Sequence, residues 1–340
     1  MTRVRFGLFV LIVLVSTADR GVRTQGSAAG QSGPTKRPPV TKAQFERWKT
    51  ELSNWGRWGK EDELGALNLV TPARRKRAAS LVKDGVSVSM ASPVDTEKSA
   101  DNATPYEHTM IQLSPINANE RLSVSYHGYS HTHLDAFAHR FFDGKMWNGF
   151  SRDEVTSEAG AKKNSIYTVR NGVFTRGILV DMPRMKGVPY LEPGTRIYVD
   201  DLEAWEKKAG VKVSAGDALF IRTGRWTRRA TIGPWNAARQ AAGLDASVIP
   251  WLRQRDVAVL GSETAQDATP APEGAESTGL PLPLHDFSLI MLGIHLFDNM
   301  NLDAVATAAA ERKRWEFLLT AAPLPVKNGV GSVINPIAVF

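Results

Sequence analysis

The chain has 340 residues, 42 Lys and Arg against 35 Asp and Glu, and no cysteine. That length can bury a sizeable core without staples, and the missing thiol excludes a disulfide framework, a zinc ribbon, an iron–sulfur cluster and a thiolate nucleophile. The net charge of +7 sits at one end: Arg3, Arg5, Arg20, Arg23, Lys36 and Arg37 face only Asp19 in the first forty residues, and the rest carries 36 basic and 34 acidic side chains, so a nearly neutral body gives no support to nucleic-acid binding.

Arg3 and Arg5 precede an apolar run over residues 6–15 and the small residues Ser16, Thr17 and Ala18. This is the pattern of a cleavable secretory signal peptide over residues 1–18, and it predicts an exported protein, periplasmic or secreted. The run is too short for a stable membrane anchor, which needs ~20 apolar residues. Residues 19–40 are rich in Gly, Ser, Thr, Gln and Pro and read as a disordered linker. A single folded domain is expected over 41–340. Thr41 and Gln44 have capping-box spacing, and Phe45, Trp48, Leu52 and Trp55 follow at helical intervals. Thr71 and Pro72 start a second helix that ends near Gly85, and residues 86–90 alternate like a strand. Short apolar runs at 178–181, 218–222 and 257–260 read as strands. Residues 200–209, 246–253 and 302–314 read as helices, the last capped by Asn301, and 315–321 and 333–340 as closing strands. The mixture is α/β, without a GxGxxG, P-loop or GxSxG signature.

Four of the seven histidines fall between His127 and His139. If this segment is extended, alternation puts His127, Tyr129, His131, His133 and Asp135 on one face. Burying so many polar groups without partners costs ~1–3 kcal/mol each. A divalent cation is the simplest compensation, and with no thiol available it must be held by imidazole and carboxylate, which suit zinc or manganese. His139 lies four residues past Asp135 and returns to the same face if the chain turns there, where an imidazole can ligate or carry protons. Of several aromatic residues nearby, Tyr129 and Trp147 are the best candidates to line a substrate pocket.

The segment 132–139, Thr-His-Leu-Asp-Ala-Phe-Ala-His, resembles the H-x-G-T-H-x-D-x-P-x-H signature of the metal-dependent cyclase family, which includes bacterial kynurenine formamidase (arylformamidase) and isatin hydrolase. Thr132, His133, Asp135 and His139 match it. The family's first histidine falls on Tyr129, its glycine on His131 and its proline on Phe137, which leaves His127, His131 and Tyr129 as candidates for the missing ligand. Residues 58–68, 142–149 and 331–339 are similar to a longer branch of the same family. The resemblance also implies a distal pair, His285 and Asp298, the latter standing where the family has Glu, to orient water or hold a second metal. It implies a single-domain swivelling β/β/α fold, a barrel-like sheet with flanking helices, and commonly a homo-oligomer.

What the resemblance implies chemically is hydrolysis of a carbon–nitrogen bond in a small amide, formamide or lactam, with His139 as general acid and base. The residues by themselves say only metal-assisted hydrolysis, without need of a Ser or Cys nucleophile. Two other readings stand beside this one. His131 and His133 resemble the first-strand HxH of amidohydrolase barrels, but those need further spaced histidines. Only His285 and His295 remain downstream, and His295, alternating with apolar residues, reads as a core strand histidine. The second reading is an exported, non-catalytic metal- or ligand-binding member of the same fold.

Overall fold

Branched and aromatic runs bounded by Gly, Pro and Asp condense into one nine-stranded sheet. The computed structural model describes residues 37–271 and 280–340. Its sheet strands are β1 (Ser87–Ser89), β2 (His133–Asp135), β3 (Val173–Asp181), β4 (Ala218–Arg222), β5 (Val259–Ser262), β6 (His295–Asp298), β7 (Glu316–Ala321), β8 (Gly331–Val333) and β9 (Ile337–Val339). They lie in the order β1-β9-β7-β3-β4-β5-β6-β2-β8. The four central strands, β3 to β6, run parallel, and every other pairing is antiparallel. The expected signal peptide and nearly all of the expected linker lie outside the described residues.

Eight α-helices accompany the sheet among the described residues: α1 (Lys42–Glu51), α2 (Pro72–Ala79), α3 (Met182–Lys186), α4 (Val199–Ala209), α5 (Arg225–Ile232), α6 (Ile249–Arg255), α7 (Pro283–Phe287) and α8 (Asp303–Arg312). Thr41 caps α1 by accepting the Gln44 N–H (3.2 Å), and Thr71 caps α2 by accepting that of Arg74 (3.3 Å). The second helix stops at Ala79, short of Gly85, where the Ser80 hydroxyl turns back onto the Arg77 carbonyl (2.7 Å). Asn301, expected as the cap of α8, stands one residue before the N-cap Leu302, its Oδ1 accepting the Asp303 N–H (3.2 Å).

Parallel strands buried on both faces read as continuous apolar runs, and that is how the central four were legible. On one face Ile178, Val180, Leu219, Ile221, Leu260 and Leu296 pack with Phe45 and Trp48 of α1 and with residues of α4 and α6. On the other, Leu179, Phe220, Val259 and Phe297 pack with Val305 and Ala309 of α8 and Phe317 of β7. The result is a single mixed α/β domain around a curled, half-barrel sheet. Outside it, Glu107–Leu113 and Ala118–Ser123 form a two-stranded ribbon exposed along both strands. Among the described residues, no helix is long and apolar enough to cross a membrane.

One close approach locks the segment before α2 to the floor of the sheet's histidine-bearing end. The Ala66 N–H donates to the Gly293 carbonyl (2.7 Å). A Cβ on Gly65, whose φ is +57°, would stand 2.3 Å from that same oxygen and 2.7 Å from the Phe137 ring. Gly65→Ala is therefore expected to destabilise the protein by about 2–4 kcal/mol, combining a left-handed backbone with overpacking. Denaturant unfolding checks this, and an unchanged midpoint would refute the contact.

Candidate metal centre

The site is assembled by strand register. β2 and β6 pair antiparallel with Asp298 opposite His133, and alternation along β2 puts His133 and Asp135 on the same face, so three ligand-type side chains share one side of the sheet. A 3₁₀ turn over Phe137–His139 folds the chain back after β2, and α7 delivers His285 from the far side. Asp135 is the hub and is fully buried. Its Oδ1 lies 3.1 Å from His127 Nδ1 and 3.4 Å from His133 Nε2. Its Oδ2 lies 3.1 Å from His285 Nε2 and 3.9 Å from His139 Nε2. Asp298 Oδ2 is 3.6 Å from His285 Nε2.

The candidate ligands are held from behind. His133 directs Nδ1 at the His131 carbonyl (2.7 Å), which leaves Nε2 for the cluster. His285 directs Nδ1 at Asp286 Oδ1 (3.3 Å), and Asp286 is itself forked by Arg140 (2.6 and 2.9 Å). Carboxylate–histidine pairs of this kind orient metal-binding imidazoles. Gln266 donates from Nε2 to Asp298 Oδ1. His127 stacks face to face on His139 (3.9 Å between ring centres). Gly331 makes room for it, since a Cβ there would stand 2.9 Å from the His127 ring.

Burial works to raise the Asp135 pKa, but the charge of His139 and the imidazoles of His127, His133 and His285 outweigh it and hold the carboxyl well below its usual range. Burial lowers the basicity of His133 and His285, yet Asp135, with Asp298 for both and Asp286 for the latter, leaves both raised. His139 goes the other way: desolvation brings it down to about 4 despite Asp135. Burial and Asp298 push the Tyr129 phenol up to about 12, so in metal-free protein it stays protonated.

The donor set fits a cation by its unmet valences. Asp135 Oδ1 and both ring nitrogens of His127 are buried without a hydrogen-bond partner, although Nδ1 and Oδ1 are only 3.1 Å apart. Two groups can each converge on one ion, His127–Asp135–His139 and His133–Asp135–Asp298, and they share Asp135. Every donor is imidazole nitrogen or carboxylate oxygen, a set zinc and manganese both accept.

Six of the residues singled out in the sequence thus meet around one carboxylate: His127, His133, Asp135, His139, His285 and Asp298. Tyr129 stands over the same cluster, close enough to feel Asp298 and His285. His131 does not join them. The segment before β2 is not extended, and the His131 imidazole turns away to the Thr104 carbonyl (2.9 Å), edge-on to Tyr106. Trp147 is no pocket wall either: it is fully buried against Phe137, and its Nε1 donates to Asp62 (3.3 Å). Gln266, which also reaches Asp298, lies outside the histidine motif and the distal pair. The available signal was the polar run 262–267 placed directly after a parallel strand, at the strand end where α/β sheets put their sites.

The Cyclase family model matches residues 69–266. A crystal structure of a novel cyclase is 30% identical over 85% of this chain and 100% of its own, with a TM-score of 0.76. The chain belongs to the cyclase family. Isatin hydrolase A from Ralstonia solanacearum (18% identity, 74% of this chain and 91% of that one, TM-score 0.51) has the same fold. So does isatin hydrolase A from Labrenzia aggregata bound to benzyl benzoate (19% identity, 77% and 94%, TM-score 0.53). No curated protein matches the chain.

His295 gives the site an acid-sensitive floor. It stacks on Phe137 (4.0 Å), directs Nδ1 at the Asp135 carbonyl (3.4 Å), and burial lowers its pKa to about 4. The unfolded chain, with an imidazole near ~6.5, then binds more protons than the folded one between those values, so stability falls as pH drops through that window. His295→Leu should flatten this acid slope in metal-free protein by on the order of 3 kcal/mol. Equal slopes for variant and wild type between pH 7 and 4 would contradict it.

Proposed function

We propose that the protein is a metal-dependent hydrolase of a carbon–nitrogen bond in a small amide, formamide or lactam, with zinc or manganese as cofactor. The observation that carries this is the buried Asp135 carboxylate ringed by four imidazoles, with donor atoms left unpaired. The cation would be held by His133, Asp135 and Asp298, with His127 and His285 completing the set or orienting water. A bound divalent cation supplies Lewis acidity, polarising a carbonyl oxygen and acidifying water.

The chain's own residues supply the rest. His139, partly open to solvent and held near pKa 4, is a neutral imidazole at working pH. Its Nε2 accepts a proton from the attacking water, and the resulting acid returns it to the leaving nitrogen as the carbon–nitrogen bond breaks. Tyr129, protonated throughout the working range, donates from its hydroxyl to the substrate oxygen. Likeness to isatin hydrolases at under a fifth identity supports the fold, and the chemistry rests on these residues.

Two substitutions test the reading. His133→Ala should abolish most bound zinc by elemental analysis. His139→Gln should retain the metal and lower turnover of N-formylaniline, isatin or a cyclic imide by about 10²–10⁴-fold. Full metal content in the first, or full activity in the second, sinks the assignment. Metal-loaded wild type that binds such compounds and hydrolyses none would favour the binding-protein reading.

The proposal extends to export through residues 1–18 and to self-association. A lone two-stranded ribbon is marginal in water, and here Ile111, Leu113 and Ile116 are 65%, 79% and 93% exposed. Leu113→Glu with Ile116→Glu should shift the light-scattering mass toward one chain. Wild type that is monomeric at micromolar concentration would end the oligomer proposal.

A further inference from the structure

Between His127 and His133 the chain forms no strand, and three of its carbonyls are taken instead by two side chains from distant elements. Arg225, the first residue of α5, is 3% exposed. Its Nη1 donates to the Glu263 carbonyl (2.8 Å) and to Asn299 Oδ1 (2.9 Å), and its Nη2 donates to the Tyr129 carbonyl. Asn299 follows Asp298 directly. Its Nδ2 donates to the carbonyls of Gly128 (2.7 Å) and His131 (3.3 Å), and its own carbonyl accepts the Thr132 hydroxyl (2.8 Å).

The guanidinium is anchored from behind. The Glu263 carboxylate gathers the N–H groups of Thr223 (2.8 Å), Gly224 (2.6 Å) and Arg225 (3.1 Å), which fixes the turn into α5. Asp101 lies 3.4 Å from Arg225 Nη2 and is itself held by Arg229 (2.9 Å). A buried, paired charge is weak evidence for stability, since apolar packing of the same volume serves as well. What an apolar side chain cannot do is hold the Tyr129 carbonyl and the Asn299 amide at once.

We propose that Arg225 is a positioning residue. Through the Tyr129 carbonyl and the Asn299 side chain it fixes the 128–131 loop, and so sets the His127 imidazole and the Tyr129 hydroxyl against Asp135 and Asp298. This rests on the metal-dependent reading above. Lysine at 225 keeps the charge, but its donors sit on one nitrogen and cannot span acceptors that the two Nη atoms reach separately. Asn299→Asp keeps the acceptor for Arg225 and tolerates the left-handed backbone (φ 53°) while removing both donors to the loop.

The test uses the full chain and two readouts besides activity. Zinc affinity is measured by competition with a chromophoric chelator, and hydrogen exchange of residues 126–132 is measured on metal-free protein. Arg225→Lys should weaken zinc binding by about 10–100-fold. It should speed exchange of that loop while β4 and β5 exchange as in wild type, and excess zinc should recover part of the lost kcat. Asn299→Asp should repeat the loop and zinc effects, and it decides the matter if the lysine variant does not fold. Folded variants with wild-type zinc affinity and wild-type loop exchange overturn the proposal. Wild type that takes up no zinc or manganese overturns the hydrolase reading itself, and this role with it.

Discussion

A carboxylate with no solvent is the constraint on which the site depends. Asp135 sits in the middle of the sheet's histidine-bearing end, with Asp298 and Asp286 close behind His285. Isolated, an anion there would be very costly, and in practice it would neutralise. Instead its neighbours hold it ionised, and the charge must be met. In metal-free protein that charge raises the basicities of His133 and His285. A divalent cation would meet the charge directly, so uptake should be linked to proton release, as it is wherever ligands must deprotonate. Arg140, forking Asp286, keeps one of the carboxylates out of this exchange.

The fold supplies the position through its change of strand direction. Four parallel strands end on the same side, and the polar segment after β5 and Asp298 at the end of β6 lie there. β2 then joins β6 in the opposite sense, which brings the sequence-local His133 and Asp135 against Asp298 from 165 and 163 residues away along the chain. The two hydrophobic layers that cover the parallel strands make this end rigid, and a rigid scaffold is what lets donors stand close without being bonded to each other.

Much of this was legible in the sequence, for local reasons. Continuous apolar runs marked the central strands, caps marked α1 and α2, and histidine spacing marked the cluster around Asp135. Alternation failed for the segment before β2 because it presumes a partner strand. Here the Gly128, Tyr129 and His131 carbonyls are bound by Arg225 and Asn299, and nothing local announces a partner so far along the chain. Once the backbone leaves the extended form, His131 is free to turn to Thr104 while His127 swings under His139. Trp147 was misplaced for a related reason. An aromatic near a motif is equally suited to wall a pocket or to fill the floor beneath it, and only the Gly65–Gly293 approach, which seats the indole, decides between them.

Asp298 shows how a departure from the family pattern can be absorbed. The resemblance implies a glutamate at this position, and aspartate is one methylene shorter. Register supplies part of the reach, because directly opposed residues of an antiparallel pair bring their Cβ atoms to about 4.5–5.5 Å. Asp298 thereby meets His133 without needing a longer stem. Gln266 supplies the rest, donating to one carboxylate oxygen and leaving the other toward His285. A shorter acid held at both ends loses less rotamer freedom than a glutamate would. The substitution therefore exchanges reach for rigidity, and it does so where two candidate ligand groups share Asp135.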